Sequence, residues 1–134
     1  MRNTRVSGVL IVEGKILLAL HKRLGEEYFV LLGGGLEKGE TPEECIVREF
    51  KEESDLVVEV KHKLFERKSD KSYEWEVYFS VKLISGELDF SKNPDLAGNV
   101  FQSVKWVELK NLEKLRFYPK SVKEFLLNKF SSVM

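Results

Sequence analysis

The sequence contains one cysteine, Cys45, in 134 residues. No disulfide can form within the chain, and the simplest setting is a reducing compartment, so a cytoplasmic location is expected. An excess of charge is also missing, because 22 Lys and Arg balance 22 Asp and Glu. That removes the electrostatic case for a nucleic-acid partner, which normally shows as a basic patch or a high pI. The local basic groups Lys61–His62–Lys63 and Arg67–Lys68 read as solvated strand faces. A long apolar run is absent as well. The stretch from Val6 to Leu20 is broken by Glu13, Gly14 and Lys15, well short of the roughly 20 apolar residues that cross a bilayer, so no membrane partner is expected. Repeats, low-complexity tracts and linkers are missing too, which argues for a single domain over residues 1–134. What is present, 43% hydrophobic and 33% charged residues, is the balance of a folded globular chain rather than a disordered one.

The order of elements follows from local pattern. Val6–Val12 is apolar and β-branched, Glu13–Gly14 is a turn signal, and Lys15–Leu20 resumes the apolar run, which predicts an N-terminal hairpin. Tyr28–Leu32 is a further strand, expected to stop at the turn-like Gly33–Gly34–Gly35. Thr41–Ser54 is the clearest helix. Thr41 is an N-cap residue, Pro42 takes the first helical position and Glu44 completes a capping box, while Cys45, Ile46 and Phe50 form an apolar stripe. Leu56–Phe65 and Tyr73–Ile84 read as strands joined by a polar loop from Glu66 to Ser72. Leu88–Gln102 reads as a long loop, Ser103–Glu108 as a short strand, Leu112–Leu115 as a helical turn and Ser121–Phe130 as an amphipathic helix. Two helices, each with one apolar stripe, among several strands predict an α/β fold in which a mixed sheet is sandwiched between helices.

The chemistry concentrates between Gly34 and Leu56, GGLEKGETPEECIVREFKEESDL. Glu49, Glu52 and Glu53 are spaced i, i+3, i+4 and share an arc of roughly 100° on the helix. Carboxylates this close repel one another unless a cation lies among them, and hard divalent ions prefer such oxygen ligands. The arc adjoins the apolar stripe and so lies at the edge of the core. The helix follows a glycine-rich segment whose backbone amides can face an anionic group. Arg48 stands beside Glu49 and can pair with nearby acids or hold a loop.

This segment closely resembles the Nudix box of MutT-like hydrolases, in which Gly, five residues, Glu and seven residues precede Arg-Glu-apolar-any-Glu-Glu-any-Gly-apolar. Gly34, Glu40, Arg48, Glu49, Phe50, Glu52, Glu53 and Leu56 stand in register, and Asp55 replaces the final glycine. With residue frequencies of roughly 6–7%, a chance match with one miss occurs on the order of once in 10^5 chains. Asp tolerates the left-handed backbone that such a glycine supplies, at a cost of about 1 kcal/mol and with no ligand lost. Cys45 stands where the family commonly has alanine, and reads as a small buried residue rather than a nucleophile.

The resemblance implies a Nudix fold and a pyrophosphohydrolase of a nucleoside diphosphate derivative or a nucleoside triphosphate. Its partner would be a small-molecule nucleotide, its cofactor Mg2+ or Mn2+, and its assembly a homodimer. The metal ligands implied are Glu49, Glu52 and Glu53. The catalytic residues implied are Glu52, Glu53 and Arg48, with a carboxylate positioning or deprotonating the attacking water and Arg48 orienting Glu49 and the glycine loop. Glu40 would anchor that loop, and the backbone at Gly33, Gly34 and Gly35 would line the substrate site. Some family members use a distant loop carboxylate as base, for which Glu87, Asp89 and Asp95 are the candidates here. The alternative is a non-catalytic Nudix-fold nucleotide-binding module, although such modules usually lose box glutamates and all are kept here. Outside the box, the proline that often marks ADP-ribose hydrolases is replaced by Lys71 and Ser72, whereas Tyr73 sits at the offset of a tyrosine common in diadenosine polyphosphate hydrolases and is the side chain assigned to substrate. Aromatic candidates for stacking on a base are Tyr28, Phe29, Tyr73, Trp75, Tyr78, Phe101 and Tyr118.

Overall fold

The computed structural model describes residues 3–69 and 73–133. Six strands are found: β1 (Thr4–Val12), β2 (Lys15–Arg23), β3 (Glu26–Gly35), β4 (Val57–Lys68), β5 (Trp75–Ser85) and β6 (Phe101–Glu108). Two α-helices accompany them, α1 (Pro42–Ser54) and α2 (Lys120–Lys129). The sheet order is β4-β5-β1-β3-β2-β6, with β1 and β5 parallel and the other pairs antiparallel. The expected mixed sheet with helices is what the chain forms.

Alternation along the strands supplies two cores, one per sheet face. Val6, Leu10, Leu32, Val77, Phe79 and Val81 pack with Ile46 and Phe50 of α1. Val9, Ile16, Leu18, Leu31 and Tyr78 pack with Val122 and Leu126 of α2. Gly8 makes room for the first core, since a Cβ there would lie 2.5 Å from the Phe50 ring.

Strand β3 changes partner part-way. Its first half pairs with β2 from Arg23↔Glu26 to Leu18↔Leu31. Its second half pairs with β1 through Gly8↔Leu32, Ser7↔Gly33, Val6↔Gly34 and Arg5↔Gly35. The three glycines therefore do not end the strand as a turn; they are its last residues. The other boundaries shift modestly. β4 runs on to Lys68, so only the middle of the expected loop remains, and its residues 70–72 lie outside the described residues. The segment after β5 contains a 3-10 turn at Pro94–Ala97 and gives way to β6 at Phe101, two residues early, because Phe101 pairs with His21 across an irregularity that skips Gln102 of β6. A second 3-10 turn, Leu109–Lys114, replaces the expected helical turn at Leu112–Leu115.

Candidate active site

Helix α1 starts as its sequence demands. The Thr41 hydroxyl accepts from the Glu44 N–H at 3.1 Å, and the Thr41 N–H donates back to the Glu44 carboxylate at 2.9 Å. It ends at Asp55, whose φ of 62° and ψ of 17° put it in the left-handed region expected of the family's glycine. Between these caps the helix lies against the end of β3, and each glycine there meets a different side chain. The Gly33 backbone acts on Glu53, drawing its carboxyl pKa down. Gly34 faces Glu49, and a Cβ at Gly34 would lie 2.4 Å from the carboxylate. The Gly35 carbonyl accepts from Arg48 at 3.3 Å, and a Cβ at Gly35 would sit 3.3 Å from the Tyr73 ring. The glycines are thus needed less for bending than for close approach: a Cβ at Gly33 would lie 2.1 Å from the Val6 carbonyl oxygen, and Gly34 is the one that admits a carboxylate.

Arg48 organises the row. Its Nε and Nη2 donate to the two Glu40 oxygens at 2.7 and 3.0 Å, a fork that fixes the guanidinium plane. Its Nη1 donates to Glu49 at 2.8 Å and reaches Glu52 at 3.4 Å and Glu37 at 3.3 Å. The Arg48 hydrogen bonds hold the Glu40 carboxyl down at about 2 against the opposing effect of burial, with the Glu37 N–H adding to the lowering. Arg48 itself is shifted upward, first by its bonds to Glu40.

Glu53 is buried, at 8% exposure, and interacts with Glu49. Burial, followed by the interaction with Glu49 and its charge, pushes the Glu53 carboxyl well above the usual range; Arg5 and the Gly33 backbone pull the other way. The fold thus brings Glu49 and Glu53 together. Glu52 shares Arg48 Nη1 with Glu49, but its side chain is 44% exposed, unlike the buried Glu53. Among the described residues no three His, Cys, Asp or Glu side chains enclose an ion as they stand. Two neighbouring carboxylates, one buried, do suit a hard divalent cation, which would relieve the repulsion between them. Cys45 is fully buried, its thiol pushed up to about 12 by burial and by the charges of Glu40 and Glu49. It donates weakly to the Gly34 and Gly35 carbonyls and is no nucleophile.

A cavity of about 710 Å3 adjoins this site. Tyr73, beside Gly35, lines it together with Arg5, Ser7, His21, Tyr28, Glu76, Tyr78, Arg116 and Tyr118. His21, Tyr28 and Tyr118 form an edge-to-face row with ring centroids 5.5 and 5.4 Å apart. Burial, with help from Arg5 and Arg23 and against Asp95, lowers His21 to about 4, so its ring is neutral near pH 7. Glu76 is buried at the cavity wall. Burial would raise its pKa, but bonds from Tyr78, Ser69 and Arg67 prevail and lower it. Arg67 is therefore not part of a solvated strand face. Of the aromatic candidates, Tyr28, Tyr73, Tyr78 and Tyr118 line the cavity; Phe29, Trp75 and Phe101 do not. Sequence reasoning missed Arg5, His21 and Glu76. The available signal was a charged or titratable side chain inside an otherwise apolar strand.

A family model for the NUDIX domain matches residues 1–127. The chain belongs to the Nudix family. It is 34% identical to an ADP-ribose pyrophosphatase of Methanocaldococcus jannaschii over 90% of this chain and 71% of that one. Its fold is that of a NUDIX-family hydrolase from Clostridium perfringens, with 19% identity, a TM-score of 0.74 and coverage of 100% of this chain and 99% of that one. It is also that of a MutT structure reported for Aliivibrio salmonicida and Vibrio cholerae, with 20% identity, a TM-score of 0.71 and coverage of 95% and 97%. As a Nudix enzyme the chain is a pyrophosphohydrolase, and the Arg48-centred row of carboxylates is its Nudix box in three dimensions. No helix among the described residues is long and apolar enough to cross a membrane.

Proposed function

We propose that residues 1–134 act as one domain, a divalent-metal-dependent hydrolase that cuts the diphosphate of a nucleoside diphosphate linked to a sugar, of which ADP-ribose is the first candidate. The observation that carries the reading is the pair Glu49 and Glu53, held against bare glycine backbone beside a cavity walled by tyrosines. The name of the Methanocaldococcus jannaschii relative supports the substrate class. The missing proline counts for less than that likeness, since it marks only some ADP-ribose hydrolases.

Glu49 and Glu53 would hold Mg2+ or Mn2+, with Glu52 turning in from solvent. A cation bound there supplies neutralisation of the diphosphate charge and acidification of water. Arg48 keeps Glu49 aimed while its fork on Glu40 keeps Arg48 in place. In the hydrolytic step water adds to one phosphorus, the bridging P–O bond breaks with its electron pair leaving on the other phosphate, and the water's proton passes to a carboxylate. Glu52 is the box carboxylate not committed to the buried pair. Among the loop candidates Asp95 is favoured, because it acts electrostatically on His21 in the cavity, whereas Asp89 accepts from the Ser91 N–H at 2.9 Å. The cavity tyrosines offer faces for stacking a base, and its size suits a nucleotide.

The test is product release with magnesium across ADP-ribose, other sugar nucleotides, nucleoside triphosphates, oxidised guanine nucleotides and dinucleoside polyphosphates. The expected result is the highest kcat/KM on ADP-ribose or a close sugar nucleotide, abolished by EDTA. Preference for triphosphates would overturn the substrate class, and preference for dinucleoside polyphosphates would put Tyr73 at the centre instead. Turnover unaffected by EDTA would overturn the metal dependence.

A further inference from the structure

Arg5 lies on β1 opposite Gly35 and faces the cavity, and nothing in the Nudix box accounts for it. The side chain is partly buried and lines the cavity. It pairs across the sheet with Gly35 at the end of β3, beside the box, and its charge acts on Glu53, His21 and Tyr78. Its Nη2 donates to the Leu31 carbonyl at 3.2 Å, and among the described residues no carboxylate forms an ion pair with it. A guanidinium has several N–H donors, and with one neutral acceptor in reach Arg5 keeps donors for an anionic group. The other cavity arginine with a defined partner, Arg116, is satisfied by Glu26 at 3.1 Å and stands at the exposed rim.

We propose that Arg5 binds the phosphoryl group that remains with the half of the substrate held in the cavity, opposite the side gripped through Glu49 and Glu53. The inference rests on the hydrolase reading above and goes further by giving the diphosphate a protein ligand outside the box. Guanidinium matches a tetrahedral phosphoryl through paired hydrogen bonds, and Ser7, two residues along the same strand face, lines the cavity beside it. On this view the diphosphate lies across β1, its nucleoside towards Tyr28 and Tyr118.

The test compares wild-type protein with Arg5→Gln and Arg5→Lys by calorimetry in EDTA, using AMP and adenosine as probes, and then by ADP-ribose turnover with magnesium. Arg5→Gln is expected to weaken AMP about tenfold or more, as for a lost charge-assisted hydrogen bond, and to leave adenosine within about twofold. Arg5→Lys should recover part of the AMP affinity. In turnover KM should rise more than kcat falls. AMP affinity unchanged in Arg5→Gln, or adenosine lost in parallel with AMP, would overturn the assignment, as would wild-type protein that binds no AMP. The two readings fail separately. Wild-type turnover with no Arg5 effect removes the phosphate role alone, and wild-type protein that hydrolyses no diphosphate removes the hydrolase reading whatever Arg5 does.

Discussion

Replacing Gly34 by alanine puts a methyl group where the Glu49 carboxylate now lies. The added carbon would stand 2.4 Å from Cδ and Oε1 and 2.7 Å from Oε2, when ordinary contact begins near ~3.4 Å, so the carboxylate must retreat by about 1 Å. Glu49 is not free to do so. Its Oε1 accepts from Arg48 at 2.8 Å, and Arg48 is locked on Glu40 by two bonds. The retreat breaks the Arg48–Glu49 bond or the contact with Glu53. Gly34 is paired in a strand and has no positive φ, so alanine adds no backbone strain and the effect isolates that one contact. Overpacking of this kind costs about 1–3 kcal/mol, a fall of several degrees in Tm for a chain of this size. Activity should suffer more than stability, since a shift of about 1 Å in a reacting group lowers kcat on the order of 100-fold. The assay is kcat at saturating magnesium, the magnesium concentration for half activity, and Tm on the same preparations. A Gly34→Ala protein with wild-type kcat and wild-type magnesium dependence would refute the reasoning that the glycine exists to admit Glu49.

Other outcomes follow from neighbouring groups. Glu40→Gln should destabilise the protein at neutral pH by about 2 kcal/mol, the worth of a partly buried charge-assisted fork. The Glu40 carboxyl is lowered to about 2 in the fold from an ordinary 4.5. Its ionised form therefore contributes fully above about 4.5, and that stability is lost as pH falls through about 2. Urea unfolding of both proteins between pH 7 and 2 should show the difference constant above about 5 and shrinking below it; a difference that grows towards acid would reverse the assignment. Cys45, with its thiol at about 12 and no exposure, should resist iodoacetamide at pH 8 in the folded protein and react once unfolded, as mass spectrometry would read. Fast labelling of the native protein would mean that the α1–β3 seam opens.

The helix carrying the box was legible because its signals are local. Thr41, Pro42 and Glu44 cap it whatever surrounds it, and Asp55 fills the left-handed position within reach of its own side-chain chemistry. The glycines misled for the opposite reason. Gly33, Gly34 and Gly35 look like a turn in one dimension, and only pairing with β1 and the approach of α1 make them strand residues. Spacing placed Glu49, Glu52 and Glu53 on one arc but said nothing of rotamers, which send Glu53 inwards and Glu52 outwards. Tyr73 could be picked out by its offset from the box, whereas its position over Gly35 depends on how the β4–β5 hairpin folds back. The cavity was the least legible part. Arg5, His21, Tyr28, Glu76 and Tyr118 come from four strands and the segment before α2, so no short window contains them.

The most direct measurement is magnesium-dependent ADP-ribose turnover by Glu53→Gln beside wild type, with matched circular dichroism spectra to show that both are folded. Glutamine keeps the size and removes the charge from the buried member of the pair. Outer-shell partners of a bound metal alone cost about 10–100-fold, so loss of a ligand should lower turnover by at least about 100-fold while Tm stays equal or rises. Equal rates in the two folded proteins would contradict the claim that the Glu49–Glu53 pair is the catalytic metal site.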